Sequence, residues 1–172
     1  MPKRSLAGTV GLAVAAAIAI APSASAAPAG MSAGQAARLQ QQVDHVIQTS
    51  APGARQIAPN QVHWPRDGVT LTLAAPGKAS AASWRDCPRK YACLWEDFDA
   101  EGRRIQFFHY RTYILSNWGM PPHTPRGASS YYNRQTGGAK AILHADFDFS
   151  MRGHGNLYGA LNDRGRRITL RP

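Results

Sequence analysis

The sequence predicts an all-β chain, an antiparallel sandwich preceded by a helix and a hairpin, on three observations. From Trp84 to the end, short apolar runs are separated by Gly, Pro, Asn and Asp, with no helical period of useful length. One helical period does occur, early, between Leu39 and Ile47. The chain also echoes itself: Leu94-Trp95-Glu96-Asp97-Phe98-Asp99 returns as Leu143-His144-Ala145-Asp146-Phe147-Asp148, so one supersecondary unit is used twice.

Residues 1–26 read as a secretory signal peptide. Lys3 and Arg4 lead, an apolar run follows from Leu6 to Ala21, and Pro22 precedes the small-residue site Ala24-Ser25-Ala26. The apolar core from Val10 to Ala21 is shorter than the ~20 residues that span a bilayer, so no stable membrane insertion is expected and the chain is expected outside the cell. Export places Cys87 and Cys93, the only cysteines, in an oxidising compartment where they should pair. The loop they close is short and contributes roughly 2 to 3 kcal/mol of chain entropy, so its expected use is to fix a local entry bend.

Residues 27–83 are expected to form an N-terminal region and linker. Ser32 as N-cap with Gln35 reaching back makes a capping box ahead of Leu39, Val43, Val46 and Ile47, which predicts a helix from about Ala33 to Gln48. Its apolar stripe is narrow, which predicts weak docking or a mobile N-terminal region. Gln61-Val62-His63-Trp64 and Val69-Thr70-Leu71-Thr72-Leu73 flank Pro65-Arg66-Asp67-Gly68 as a hairpin. Ala74 to Ser83 is small and reads as a linker, so the main domain is expected over residues 84–172.

Charge narrows the partners. There are 20 Lys and Arg against 10 Asp and Glu, a formal net charge of +10. The basic residues come as scattered pairs, Arg89-Lys90, Arg103-Arg104 and Arg166-Arg167, without a long run or a nucleic-acid motif. A soluble basic monomer is expected, with no nucleic-acid partner and with acidic polymers as compatible ligands.

No enzyme constellation is present. The six histidines show no HExxH spacing, and no Gly-x-Ser-x-Gly elbow occurs. Asp97 to Gly102 imitates the start of an EF-hand loop but has Phe108 where the bidentate Glu belongs. No metal and no cofactor is expected. The pair Asp97 and Asp146 falls at equivalent places in the two copies, which fits hairpin structure better than glycoside hydrolysis.

In the first copy Trp95, four residues, Ala100, one residue and Gly102 follow one another; in the second, His144, Phe149 and Met151 take those places. This resembles the aromatic-x4-aromatic-x-Gly signature of the βγ-crystallin Greek key, in which glycine permits a tight turn under an aromatic ring. Each copy departs once, at Ala100 and at Met151. With Asp86-Cys87-Pro88, Ala92-Cys93-Leu94-Trp95-Glu96, Gly102-Arg103-Arg104, Asn117-Trp118-Gly119, Ala128-Ser129-Ser130, Tyr132-Asn133-Arg134 and Asn162-Asp163-Arg164, the stretch 86–172 resembles peptidase inhibitor family I36. The resemblance implies a βγ-crystallin-like double Greek-key sandwich and inhibition of extracellular peptidases, metalloproteases above all. The calcium motif of such folds is broken here by Pro125-Arg126 and Arg166-Arg167, so calcium binding is not expected.

The first copy is the longer one, and the excess lies between Tyr110 and Pro125. Pro121, Pro122 and Pro125 stiffen its second half, and a stiff loop has little entropy to lose on docking. On one reading Trp118 and Met120 fill an apolar subsite of a protease while His123 approaches its metal. On the other, Trp118 is core, Pro121-Pro122 a connector and His123 solvent. The alternative function is a wall-polysaccharide-binding or antifungal toxin-like module, in which Tyr113, Trp118, Tyr131 and Tyr132 would stack on sugar rings, one of Tyr131 and Tyr132 pointing inward.

Overall fold

Helix α1, Ala33–Thr49, begins where its cap predicts. Ser32 Oγ accepts from the Gln35 backbone N–H at 3.2 Å, and the Gln35 side chain accepts from the Ser32 N–H at 2.9 Å. The computed structural model describes residues 30–76, 83–121 and 127–172. The expected signal peptide and most of the expected linker therefore lie outside the described residues. No helix among the described residues is long and apolar enough to cross a membrane.

After α1 the described chain is β-structure: β1 Arg55–Ala58, β2 Gln61–Trp64, β3 Val69–Thr72, β4 Ala92–Trp95, β5 Arg104–Phe107, β6 Thr112–Ile114, β7 Ser130–Asn133, β8 Lys140–His144, β9 Asp148–Met151, β10 His154–Asn156 and β11 Arg167–Arg171. They make two antiparallel sheets, a seven-stranded one in the order β1-β2-β3-β5-β4-β7-β10 and a four-stranded one in the order β6-β11-β8-β9. The strands β4 to β7 and β8 to β11 form two units. Each unit keeps its first, second and fourth strands in one sheet and gives its third to the other: β6 pairs with β11, and β10 with β7.

The N-terminal helix and hairpin are not an appendage. Strand β3 pairs with β5 through Val69↔Phe107, Thr70↔Gln106, Leu71↔Ile105 and Thr72↔Arg104, so the hairpin widens the sheet. Val62, Trp64, Val69 and Leu71 enter the same core as Leu94, Ile105, Phe107, Leu143 and Ile168. The narrow helical stripe docks fully: Leu39, Val43 and Val46 are buried in that core. Side chains of this size each stabilise by about 1.5 to 3 kcal/mol when buried, which a stripe only three residues long still converts into firm packing.

Strand β4 is buried on both faces. Ala92 and Leu94 point into the main core, while Cys93 and Trp95 join Cys87 and Ala100 in a second cluster covered by Trp84, Tyr91 and Tyr132. Cys87 and Cys93 form the expected disulfide. The ring of Trp84 meets that of Trp95 edge-on at 5.4 Å.

The two copies of the repeat fold differently at their tips. In the first, Trp95 pairs with Arg104, and the residues between fold over, with Asp99, Ala100 and Gly102 at positive φ (55°, 63° and 74°). Ser130 Oγ secures this tip by accepting from the Ala100 N–H at 3.2 Å and donating to the Asp97 carbonyl at 2.7 Å. In the second, His144 pairs directly with Asp148, and Met151 continues β9 opposite Ala141. A Cβ at Gly102 would collide with the Asp97 carboxylate in a left-handed backbone. Methionine in the matching place disfavours that turn, and the chain runs on as a plain hairpin.

Candidate functional site

The segment expected to dock turns inward. Residues Leu115–Trp118 form a 3₁₀ turn closed by Gly119 at φ 77°, where a Cβ would lie 3.1 Å from the Leu71 side chain. Trp118 is 5 % exposed and Met120 fully buried. Trp118 packs edge-on against Trp64 at 5.4 Å and against Tyr113 at 6.2 Å. The Met120 N–H donates to the Leu115 carbonyl at 3.1 Å. The apolar residues of the insertion thus fill the joint between α1, the hairpin and the sandwich, and neither Trp118 nor Met120 is available as a contact residue. Pro121 is exposed, and Pro122 and His123 lie outside the described residues. Of the tyrosines expected to stack on sugars, Tyr113 and Tyr131 are buried, Tyr131 in the main core; Tyr132 lies half-buried on the opposite face, as alternation predicts.

A different loop is held stiff and open. Phe108, His109, Tyr110 and Arg111 are all exposed between β5 and β6. Their backbone is tied down at several points. The Phe108 N–H donates to the Gly68 carbonyl at 3.1 Å, and the Leu170 N–H donates to the Arg111 carbonyl at 2.9 Å. The buried Tyr113 hydroxyl accepts from the His109 N–H at 3.1 Å and lies 2.9 Å from the His109 carbonyl and 3.0 Å from the Asp67 carbonyl. Burial is the main cause that pushes the Tyr113 phenol up to about 12, against the lowering effects of the His109 bond and of Arg111. Arg111 bridges to Asp67 at 2.7 Å. The sequence signal was the doublet Phe107-Phe108, which breaks the polar-apolar alternation where β5 ends.

An acidic cleft of about 470 Å³ lies beside the folded tip, lined by Glu96, Asp97, Asp99, Glu101, Asp163 and Ser129 among others. Burial first, then repulsion from Glu96, Glu101 and Asp163, raises the Asp97 carboxyl above its usual range. Asp163 is already engaged, its two oxygens accepting from Ser129 Oγ at 3.3 Å and from the Asn162 amide at 3.2 Å. Among the described residues no three His, Cys, Asp or Glu side chains are grouped as a metal site. On the rim, Phe98 and Tyr158 stack at 5.5 Å, and Asn156 holds Asp99 by a pair of 2.8 Å bonds, one to its backbone N–H and one to its carboxylate.

No curated protein and no solved structure matches the chain. Residues 80–146 match the family model of peptidase inhibitor family I36. The stretch that carries the disulfide, the first copy with its folded tip and the stiff loop after β5 is therefore the part of the chain that is similar to peptidase inhibitor family I36.

Proposed function

We propose that this protein is a secreted, non-enzymatic inhibitor of extracellular peptidases, metalloproteases in particular, working as a monomer through a stiff surface loop on a double Greek-key scaffold. The family match over residues 80–146 carries the reading. The leader pattern of residues 1–26, with its Ala24-Ser25-Ala26 site, supports export. The exchange of third strands between the two sheets supports two interlocked Greek keys. The prolines at 121, 122 and 125 support a stiff connection after Met120.

Titration of the purified protein against thermolysin-like, serine and cysteine peptidases tests this. Dose-dependent inhibition is expected, strongest for the metallopeptidase. No inhibition of any class at micromolar protein overturns the reading. If residues 121–126 are the contact loop, replacing them with Gly and Ser weakens inhibition while Trp118 and Met120 keep the fold.

A second reading, attachment to wall polysaccharide, has one observation in its favour. Phe98 and Tyr158 are 42 % and 68 % exposed and offer an aromatic platform of the kind that stacks on sugar rings. Retention on chitin or wall preparations that is lost in Tyr158→Ala, without peptidase inhibition, would replace the first reading with this one.

A further inference from the structure

The loop Phe108–Arg111 has exposed side chains on a fixed backbone, and we infer that it is the edge by which the protein enters an apolar, acid-rimmed peptidase cleft. This deepens the inhibitor reading and rests on it. Phe108 is 39 % and Tyr110 54 % exposed, and the Arg111 side chain 49 %. Two aromatic rings and an arginine are the side chains that dominate protein contacts when they fill a partner's pockets. Little of their ordering remains to be done on binding. The Tyr113 hydroxyl, the Gly68 carbonyl and the Leu170 N–H hold the backbone, and the Phe108 ring rests on Tyr91 at 5.0 Å.

Charge selects the partner. Arg66, Arg89 and Lys90 are exposed on the neighbouring segments, and the carboxylate beside them among the described residues, Asp67, is neutralised by Arg111. The acidic tip, residues 96–103, lies at the opposite end of β5. An acidic rim is thus drawn to the loop and repelled by the tip, which fixes the direction of docking. The loop is bent, not extended, and the carbonyls of His109 and Arg111 are already bonded within the protein. It enters by its side chains and does not present a substrate-like strand for cleavage. Position 68 supports this geometry, since a Cβ there would lie 2.7 Å from the His109 ring.

The test compares the intact protein with Phe108→Ala, Tyr110→Ala and Arg66→Glu in inhibition of the most sensitive peptidase of the panel, with melting temperature and near-ultraviolet circular dichroism followed for each. The expected result is a rise of at least about tenfold in the inhibition constant for each aromatic variant with the fold unchanged, as for hot-spot anchors. Arg66→Glu is expected to weaken inhibition and to flatten its salt dependence. Folded aromatic variants that inhibit within twofold of the intact protein overturn the loop assignment and leave the inhibitor reading standing. An intact protein that inhibits nothing overturns both.

Discussion

Arg103 and Glu96 face each other across the base of the folded tip, joined by two parallel hydrogen bonds, Nε to Oε2 at 3.0 Å and Nη2 to Oε1 at 2.8 Å. The third guanidinium nitrogen, Nη1, donates to the Gly119 carbonyl at 3.0 Å. One side chain therefore ties the first copy's tip to the inward turn that buries Trp118 and Met120. The side chains of Arg103 and Glu96 are 13 % and 18 % exposed, so loss of one leaves the other poorly solvated. Arg103→Met is expected to lower stability by about 2 kcal/mol, and Arg103→Lys to restore only part of it, because an ammonium cannot reproduce the fork. Urea denaturation of the three proteins measures this.

Two glycines should respond unequally to alanine. At Gly127 a Cβ would overlap the Asp163 backbone, which cannot swing away, whereas at Gly102 the obstacle is the movable end of Asp97 and the remaining cost is the left-handed backbone. Gly102→Ala is expected to cost about 1 kcal/mol and Gly127→Ala about 3 kcal/mol. The reverse order in chemical denaturation would refute the packing described around Asp163.

Replacing Cys87 and Cys93 together by alanine should cost about 2 kcal/mol, the chain entropy of so short a loop. The larger signal is expected in near-ultraviolet circular dichroism. The disulfide lies in the cluster with Trp95, against which Trp84 is packed edge-on.

Alkaline pH should weaken the fold through Tyr113. In the unfolded chain its phenol loses a proton near the ordinary value of 10.0, but in the folded protein burial holds that proton until about 12. The contribution is intact below pH 10 and falls as pH rises from about 10 to 12, because only the unfolded chain releases the proton there. Tyr113→Phe should show a shallower loss of stability across that window. Melting curves of the two proteins against pH give the comparison.

A fragment of residues 84–172 is expected to fail as an independent domain. It would strip β3 from β5 and uncover Ile105 and Phe107, which the hairpin and α1 cover in the intact chain. Size-exclusion chromatography and far-ultraviolet circular dichroism should show aggregation or loss of structure. A folded monomer would mean that the hairpin adds little to the core.

What was legible in the sequence was local. Ser32 and Gln35 announced the start of α1, Pro65 to Gly68 the hairpin turn, and Cys87 with Cys93 their bond. The direction in which the insertion points was not legible, because Trp118 is apolar and flanked by turn residues whether it faces solvent or core. Its partners, Trp64 and Tyr113, decide the matter from elsewhere in the chain. The stiffness of Phe108–Arg111 was hidden for the same reason. Besides the nearby Tyr113, it comes from Asp67, Gly68 and Leu170, all far from it in sequence.

The exchange of third strands has a consequence for survival among proteolytic enzymes. Because β6 completes the sheet of the second unit and β10 that of the first, opening one half breaks strand pairs of the other. Partial opening of one half is thereby made costlier, and cleavage within the strands is expected to follow the opening of both halves. The strands of a chain threaded in this way are protected by connectivity, whereas its exposed loops are not.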